Sequence, residues 1–212
     1  ATDNALTLTS TAGVDAAIDY AAINNQYGSF TEVAVSDTTN DIDHAGTITA
    51  VGMTITTSGG GHHHYAGKLD ASGAVAITSS GSGNVTIADI DADGTAVSVS
   101  VNASALTGEL NAVASNSSVV VTITGGSGDD TITGGTRPDT LTGGGGHDSI
   151  TGNAGNDTLI GGDGNDTLKP TSGTNSVDGG AGNDTITAGT GFDTINAGAG
   201  DDSIVFASNV NL

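Results

Sequence analysis

GGSGDDTIT (125–133), GGTRPDTLT (134–142), GGGGHDSIT (143–151), GNAGNDTLI (152–160), GGDGNDTLK (161–169), PTSGTNSVD (170–178), GGAGNDTIT (179–187), AGTGFDTIN (188–196) and AGAGDDSIV (197–205) divide residues 125–205 into nine nonapeptides. The shared pattern is Gly-Gly-x-Gly-x-Asp-x-aliphatic-x, and a fixed short period is the signature of a solenoid. The first six residues of each unit form a turn, in which glycine permits positive φ and close approach of backbone. The last three form a short strand. Its middle residue is always aliphatic and the residue before it always Thr or Ser. Neighbours on a strand point to opposite faces, so the aliphatic residue is expected inside and the hydroxyl outside.

Two units complete one coil of strand, turn, strand, turn, and units two apart stack at about one strand spacing, ~4.8 Å. Asp130, Asp148, Asp166, Asp184 and Asp202 then form one column of carboxylates. Asp139, Asp157 and Asp193 form the other, interrupted by Asn175. Like charges at that spacing repel by roughly 3 kcal/mol per neighbouring pair at an effective dielectric near 20, before salt screening. One aliphatic residue per unit makes a thin core, and glycine is costly to order. The stack therefore calls for a cation. Calcium suits it, because calcium takes six to eight carboxylate and carbonyl oxygens in tolerant geometry.

These residues resemble the RTX (repeat-in-toxin) calcium-binding nonapeptides, GGxGxDxUx, over 81 of the 212 residues. The resemblance implies a parallel β-roll, with calcium held between successive coils by the motif Asp and by turn carbonyls. On that geometry the first column offers four sites between five intact units. The second departs from the pattern at Arg137-Pro138, at Pro170-Thr171 and at Asn175, and is expected to hold fewer ions, one or two. The competing reading is a disordered glycine-rich tail, which the unbroken register of aliphatic residues opposes.

The chain carries 24 acidic residues against three basic ones (Lys68, Arg137 and Lys169), a net charge of −21, and half of the acids lie at or after Asp129. With no basic patch to release counterions, nucleic acid is excluded as a partner, and anionic membrane surfaces are disfavoured. No apolar run is long enough to insert in a membrane. There is no cysteine, so metal is expected to stabilise the chain where a secreted protein would otherwise use disulfides. The sequence opens at Ala1 without a signal peptide, and only FASNVNL follows the last repeat, which leads us to expect a fragment or a mature product.

Residues 1–115 read as a β-rich part, with repeats over 116–205 and a tail over 206–212. Strands are expected at 5–10, 30–37, 46–58, 74–80, 83–90, 95–102, 110–115 and 119–124, each rich in Val, Ile and Thr between turn residues. Such spacing suits a sandwich or a wider solenoid; VVVTIT (119–124) runs in phase into the nonapeptides, which favours a solenoid sharing one core. The fold class is thus all-β, a parallel β-roll continuing from a wider β-solenoid. VDAAIDYAAIN (14–24) is Ala-rich with apolar spacing that predicts a short helix.

Asp89, Asp91 and Asp93, closed by Gly94, form a DxDxDG loop like half of a calcium site, with a polar turn as the alternative. Asp41 and Asp43 echo it. His62-His63-His64 carry transition-metal ligands, but adjacent residues of an extended segment point apart, so an exposed loop is expected. His147 is read as a solvated variable position. No H-E-x-x-H, G-x-S-x-G, thiol or isolated carboxylate pair suggests an enzyme.

The Thr-, Ser-, Ala- and Val-rich first half resembles the strand-rich parts of bacterial surface-layer proteins and large RTX adhesins. The leading expectation is a structural, calcium-ordered segment of a self-assembling layer or filament outside the bacterial cell. Its partners would be copies of itself and a cell-surface glycan. The alternatives are an adhesin spacer, the secretion and folding domain of an RTX enzyme or toxin, and ice binding through outward Thr rows. Lys169, Asp178, Asn196 and Ile160 interrupt those rows.

Overall fold

The computed structural model describes residues 5–10, 16–19, 32–37, 42–45, 48–50, 53–71, 73–92, 98–115 and 117–206, with side chains from Thr54 onward. Among them every regular element is a strand. The first five are Ala5–Ser10 (β1), Ala16–Asp19 (β2), Glu32–Asp37 (β3), Ile42–Ala45 (β4) and Ile48–Ala50 (β5). Longer strands follow: Met53–Thr57 (β6), His63–Ala71 (β7), Val75–Gly81 (β8), Val85–Ala92 (β9), Val99–Leu106 (β10), Leu110–Val113 (β11) and Val121–Thr124 (β12). The nonapeptides supply Thr131–Thr133 (β13), Thr140–Gly145 (β14), Ser149–Thr151 (β15), Thr158–Asp163 (β16) and Thr167–Lys169 (β17). They end with Ser176–Ala181 (β18), Thr185–Ala188 (β19), Thr194–Asn196 (β20) and Ser203–Phe206 (β21).

All pairings among the described residues are parallel. Even-numbered strands from β6 to β20 stack in order as one eight-stranded sheet. The odd-numbered strands from β7 to β21 stack as the other, extended by β4 and β2, with β5 beside β7. Consecutive strands therefore alternate between sheets, which is the path of a solenoid. A sandwich, the alternative raised by strand spacing alone, would have carried antiparallel pairs.

Coil length changes along the axis. Met53 lies beside Val75, Val75 beside Val99 and Val99 beside Val121, steps of 22, 24 and 22 residues. From Thr122 beside Thr140 onward, each step is 18 residues, two nonapeptides. One apolar cluster runs without a break from Ile55 to Ile186 through both kinds of coil. In the repeats it consists of the expected aliphatic residues, Ile132, Leu141, Ile150, Leu159, Leu168, Val177 and Ile186, all buried. At the last described coil Ile195 is partly buried and Ile204 is 40% exposed.

The helix expected over 14–24 is corrected: Ala16–Asp19 is a strand, Ala16 beside Ile42, and the rest of that stretch lies outside the described residues. An isolated helix of that length is marginal in water, whereas a parallel neighbour satisfies the backbone at once. Asp41 also lies outside the described residues, and Asp43 falls within β4.

Candidate metal centre

Through the seventh unit, each nonapeptide turn places its sixth residue inside the solenoid. Asp130, Asp139, Asp148, Asp157, Asp166 and Asp184 are all buried. The peptides after them carry the coil-to-coil ladder: the Ser149 N–H donates to the Asp130 carbonyl and the Thr167 N–H to the Asp148 carbonyl, both at 2.8 Å. The carboxylates reach the other way. The N–H of Asp130 donates to Oδ1 of Asp148, that of Asp148 to Oδ1 of Asp166, and that of Asp166 to Oδ1 of Asp184, each at 2.8 Å. Asp184 donates likewise to Asp202 at 2.9 Å. One oxygen of every motif carboxylate thus replaces a missing backbone acceptor across coils, 18 residues apart except for Asp130, which accepts from Leu110.

The second oxygen sorts the turns into two kinds. In the first, the N–H of the second residue of the unit donates to Oδ2: Gly126 to Asp130 and Gly135 to Asp139 at 2.7 Å, Gly189 to Asp193 at 3.2 Å. In the second kind, Oδ2 of Asp148, Asp157, Asp166 and Asp184 is buried with no hydrogen-bond partner. Their second residues all have positive φ: Gly144 119°, Asn153 71°, Gly162 122° and Gly180 105°. Gly126, Gly135 and Gly189 do not. Positive φ at this place goes with an N–H turned away from the carboxylate.

What surrounds the bare oxygens is more oxygen. A Cβ added at Gly152 would lie 2.6 Å from Oδ2 of Asp157 and 2.9 Å from the carbonyl oxygen of Pro170. At Gly161 it would collide with Oδ2 of Asp166 and the Gly179 carbonyl, and at Gly179 with Oδ2 of Asp184 and the Ala197 carbonyl. In these units, as at Gly125 and Gly134 beside Asp130 and Asp139, the first residue must therefore lack a side chain, because a carboxylate oxygen and a carbonyl from the next coil converge on that space. Two acceptors facing one another without a proton between them suit a hard cation. Among the described residues no three acidic or histidine side chains converge, so an ion here takes one carboxylate and main-chain oxygens.

Electrostatics agree with that donor set. Burial pushes the Asp148 carboxyl up to about 7, with the like charges of Asp130 and Asp166 adding to it and the hydrogen bond from Asp130 opposing. Burial likewise raises Asp157 to about 6. Asp166, Asp130 and Asp139 are shifted upward for the same first reason. A neighbouring divalent charge would reverse this.

The remaining expected ligands fall in different settings. Asp130 has both oxygens satisfied, by the N–H groups of Leu110 and Gly126. Asp139 is satisfied by Val121 and Gly135. Asp193 and Asp202 lie in the last described coil and are half-buried. Asn175 preserves the ladder, since its Oδ1 accepts the Asp157 N–H at 2.8 Å. Its Nδ2 stands where a second carboxylate oxygen would be and donates to Oδ1 of Asp193 at 2.9 Å. That rung is held by hydrogen bonds alone. In the same unit Thr171, a β-branched residue, is held at φ 74°, a strained conformation.

The DxDxDG stretch is not the loop expected of it. Asp89 and Asp91 are on strand β9, and Asp91 is ion-paired with Lys68 at 2.6 Å, with Asp70 3.5 Å from the same ammonium. Asp93 lies outside the described residues. The histidine run is not an exposed loop either: His63 and His64 are on β7, with His63 buried and its neighbours His62 and His64 exposed.

A second ladder escaped the sequence reading. In the odd-numbered units the fifth residue is exposed, and from Asp129 to Asn183 its side chain accepts the N–H of the fifth residue one coil on. His147 donates its N–H to Oδ1 of Asp129 at 2.7 Å, Asn165 to Nδ1 of His147 at 2.8 Å, Asn183 to Oδ1 of Asn165 at 2.7 Å and Asp201 to Oδ1 of Asn183 at 2.8 Å. His147 is therefore a rung and not a free variable position. The signal was present in the Asp, His and Asn that fill these places in the odd-numbered units, residues with an acceptor one or two bonds beyond Cβ. In the even-numbered units, where Pro138 and Phe192 stand, the corresponding bond is the one from the Thr174 N–H to Oδ1 of Asn156 at 2.9 Å.

Residues 122–136, 133–168 and 171–208 match the family model of the RTX calcium-binding nonapeptide repeat (4 copies). These repeats are calcium-binding motifs, and the geometry of the turns is consistent with a calcium-binding structural module. No curated protein and no solved structure matches the chain at a significant level.

Proposed function

We propose that this chain is a calcium-ordered structural segment of a secreted, self-assembling bacterial surface layer or filament. The observation that carries the reading is the set of four buried, donorless carboxylate oxygens on Asp148, Asp157, Asp166 and Asp184, three in one column and one in the other. Each marks one calcium, and beside Asp157, Asp166 and Asp184 a main-chain carbonyl of the next coil stands as co-ligand. Calcium supplies the positive charge that lets these carboxylates remain ionised inside the fold.

In calcium-poor cytosol the acidic columns disfavour coiling, which suits passage through a secretion channel. Outside, a site at tenfold excess over its Kd adds about 1.4 kcal/mol, so four add about 6 kcal/mol, comparable to the stability of a whole domain. The carboxylates are engaged as ligands and rungs, and the reading assigns no catalytic role. Copies of the chain, and a cell-surface glycan as anchor, are its partners.

Electron microscopy of the purified chain during calcium addition tests the assembly, and titration calorimetry tests the four ions. Sheets or fibres that form with calcium and dissolve with EGTA are the expected result. A soluble monomer at millimolar calcium would instead favour a spacer of an RTX adhesin or the folding domain of an RTX enzyme or toxin.

A further inference from the structure

The two faces of the wide coils differ in charge. On β7 and β9, Lys68, Asp70, Asp89 and Asp91 stand on the outward side, between buried Leu69, Ile90 and Ala92. The strands that close the same coils on the other side, β6, β8, β10 and β12, contain no Asp, Glu, Lys or Arg, and neither does β14. In a chain with a net charge of −21 this is a continuous neutral surface across five strands. Its outward residues are short and mostly hydroxylated: Thr54, Thr78, Ser100, Thr122 and Thr140 are all exposed. Val120, 43% exposed, stands at its margin.

We propose that two copies of this chain pack face to face through the outer surface of the eight-stranded sheet between β6 and β14. The inference rests on the self-assembly reading and names the surface that performs it. Two identical acidic molecules repel wherever their charges meet within a Debye length of about 8 Å. Sheets in contact approach to about 10 Å, and this face brings no charge into that gap. A flat array of methyl and hydroxyl groups repeating at every strand is also self-complementary, as an isologous two-fold contact requires. The opposite sheet offers a shorter neutral stretch, β11, β13 and β15, and beside it β7 and β9 carry three carboxylates against the one ammonium of Lys68, a net negative patch.

Sedimentation of the full chain in millimolar calcium tests this. The wild type is expected to show a concentration-dependent dimer. Thr122→Asp and Thr78→Lys each place a charge in the contact and are expected to weaken it more than tenfold, whatever the sign of the charge. Thr185→Asp, on the exposed side of β19, is expected to leave it unchanged. Circular dichroism melts in calcium verify that all three variants fold. If the wild type associates and Thr122→Asp and Thr78→Lys associate equally well, the face is wrong while self-assembly stands. A wild type that stays monomeric at every concentration removes both. A monomer retained by particulate polysaccharide, and released by Thr122→Asp, gives the face to that partner and overturns the dimer.

Discussion

Strand β9 in the wide coils and strand β15 in the repeats lie three levels apart in one sheet and fill the interior differently. β9 buries Val85, Ile87, Ile90 and Ala92. β15 buries Ile150 alone, and the next buried side chain before it is the carboxylate of Asp148. A coil of 22 to 24 residues has room for a two-row apolar interior on each strand; a coil of 18 has room for one row and a turn. The narrow coil compensates with ionised groups inside, and those are stable only when neutralised. The lesson is that one ladder geometry accommodates two kinds of interior, one apolar throughout and one that includes buried carboxylates.

Removing calcium should separate the two regions, and this is the largest effect expected. In EGTA, amides of β13 to β21 are expected to lose hydrogen-exchange protection while those of β8 to β10 keep it. Uniform loss, or none, would break the comparison. The metal-free repeats should also respond to pH in an unusual direction. The folded-state values of Asp148 and Asp157 lie above the ordinary carboxylate value, at about 7 and about 6. Without metal, their contribution is fully present below the ordinary carboxylate value of 3.8 and is lost as pH rises from there through the folded values of about 6 and about 7. In EGTA the melting temperature of the repeats should be higher at pH 5 than at pH 8. In calcium the order should reverse, since protons then compete with the ion.

Backbone contact between coils gives the next largest effect. Gly162 has φ 122° and a Cβ there would strike the Gly144 carbonyl, whereas a Cβ at Gly145 would meet nothing nearer than Ser127 Cα at 3.8 Å. Gly162→Ala is expected to cost several kcal/mol, more than the ~1 kcal/mol of a simple glycine effect, because an L side chain is strained at that φ. Gly145→Ala should stay within about 0.5 kcal/mol. Calcium-dependent melts of the two variants measure the difference; equal cost would mean that the coils are less closely stacked.

Asn175→Asp probes the one rung held without a carboxylate pair. In calcium the new carboxylate should add a site and raise the melting temperature of the repeats. In EGTA it should lower it, as the amide hydrogen bond to Asp193 is lost and a like charge is gained. A change of the same sign in both conditions would show that this column takes no ion at that level.

Much of this arrangement was legible in the sequence because a nine-residue period leaves little freedom. Two units per coil, aliphatic in and Thr out, follow from alternation along three-residue strands, and Leu141, Ile150 and Leu159 sit where that rule puts them. The division between capped and bare carboxylates was not legible, because Gly126 and Gly144 are the same residue in the same place and differ only in φ. The Asp91–Lys68 pair was hidden for another reason. It joins residues 23 positions apart, in coils whose length varies, so no fixed period announces the register.

The exposed ladder of fifth residues offers the finest test, since it braces the same turns without touching the ions. Asn165 accepts one N–H, from Asn183, and Asp166 beside it accepts another, from Asp148. Consecutive peptides on an extended turn point opposite ways along the axis, so the two side chains reach in opposite directions and tie each level to both neighbours. Asn165→Ala removes a neutral, solvent-exposed hydrogen bond and should cost about 1 kcal/mol. The same loss should be seen in calcium and in EGTA at low pH, where the metal-free repeats are most stable. Asp166→Ala should cost far more in calcium than in EGTA, because it takes away a ligand as well as a rung. If Asn165→Ala instead loses most of its effect when calcium is removed, the outer ladder follows the ions and is no independent brace.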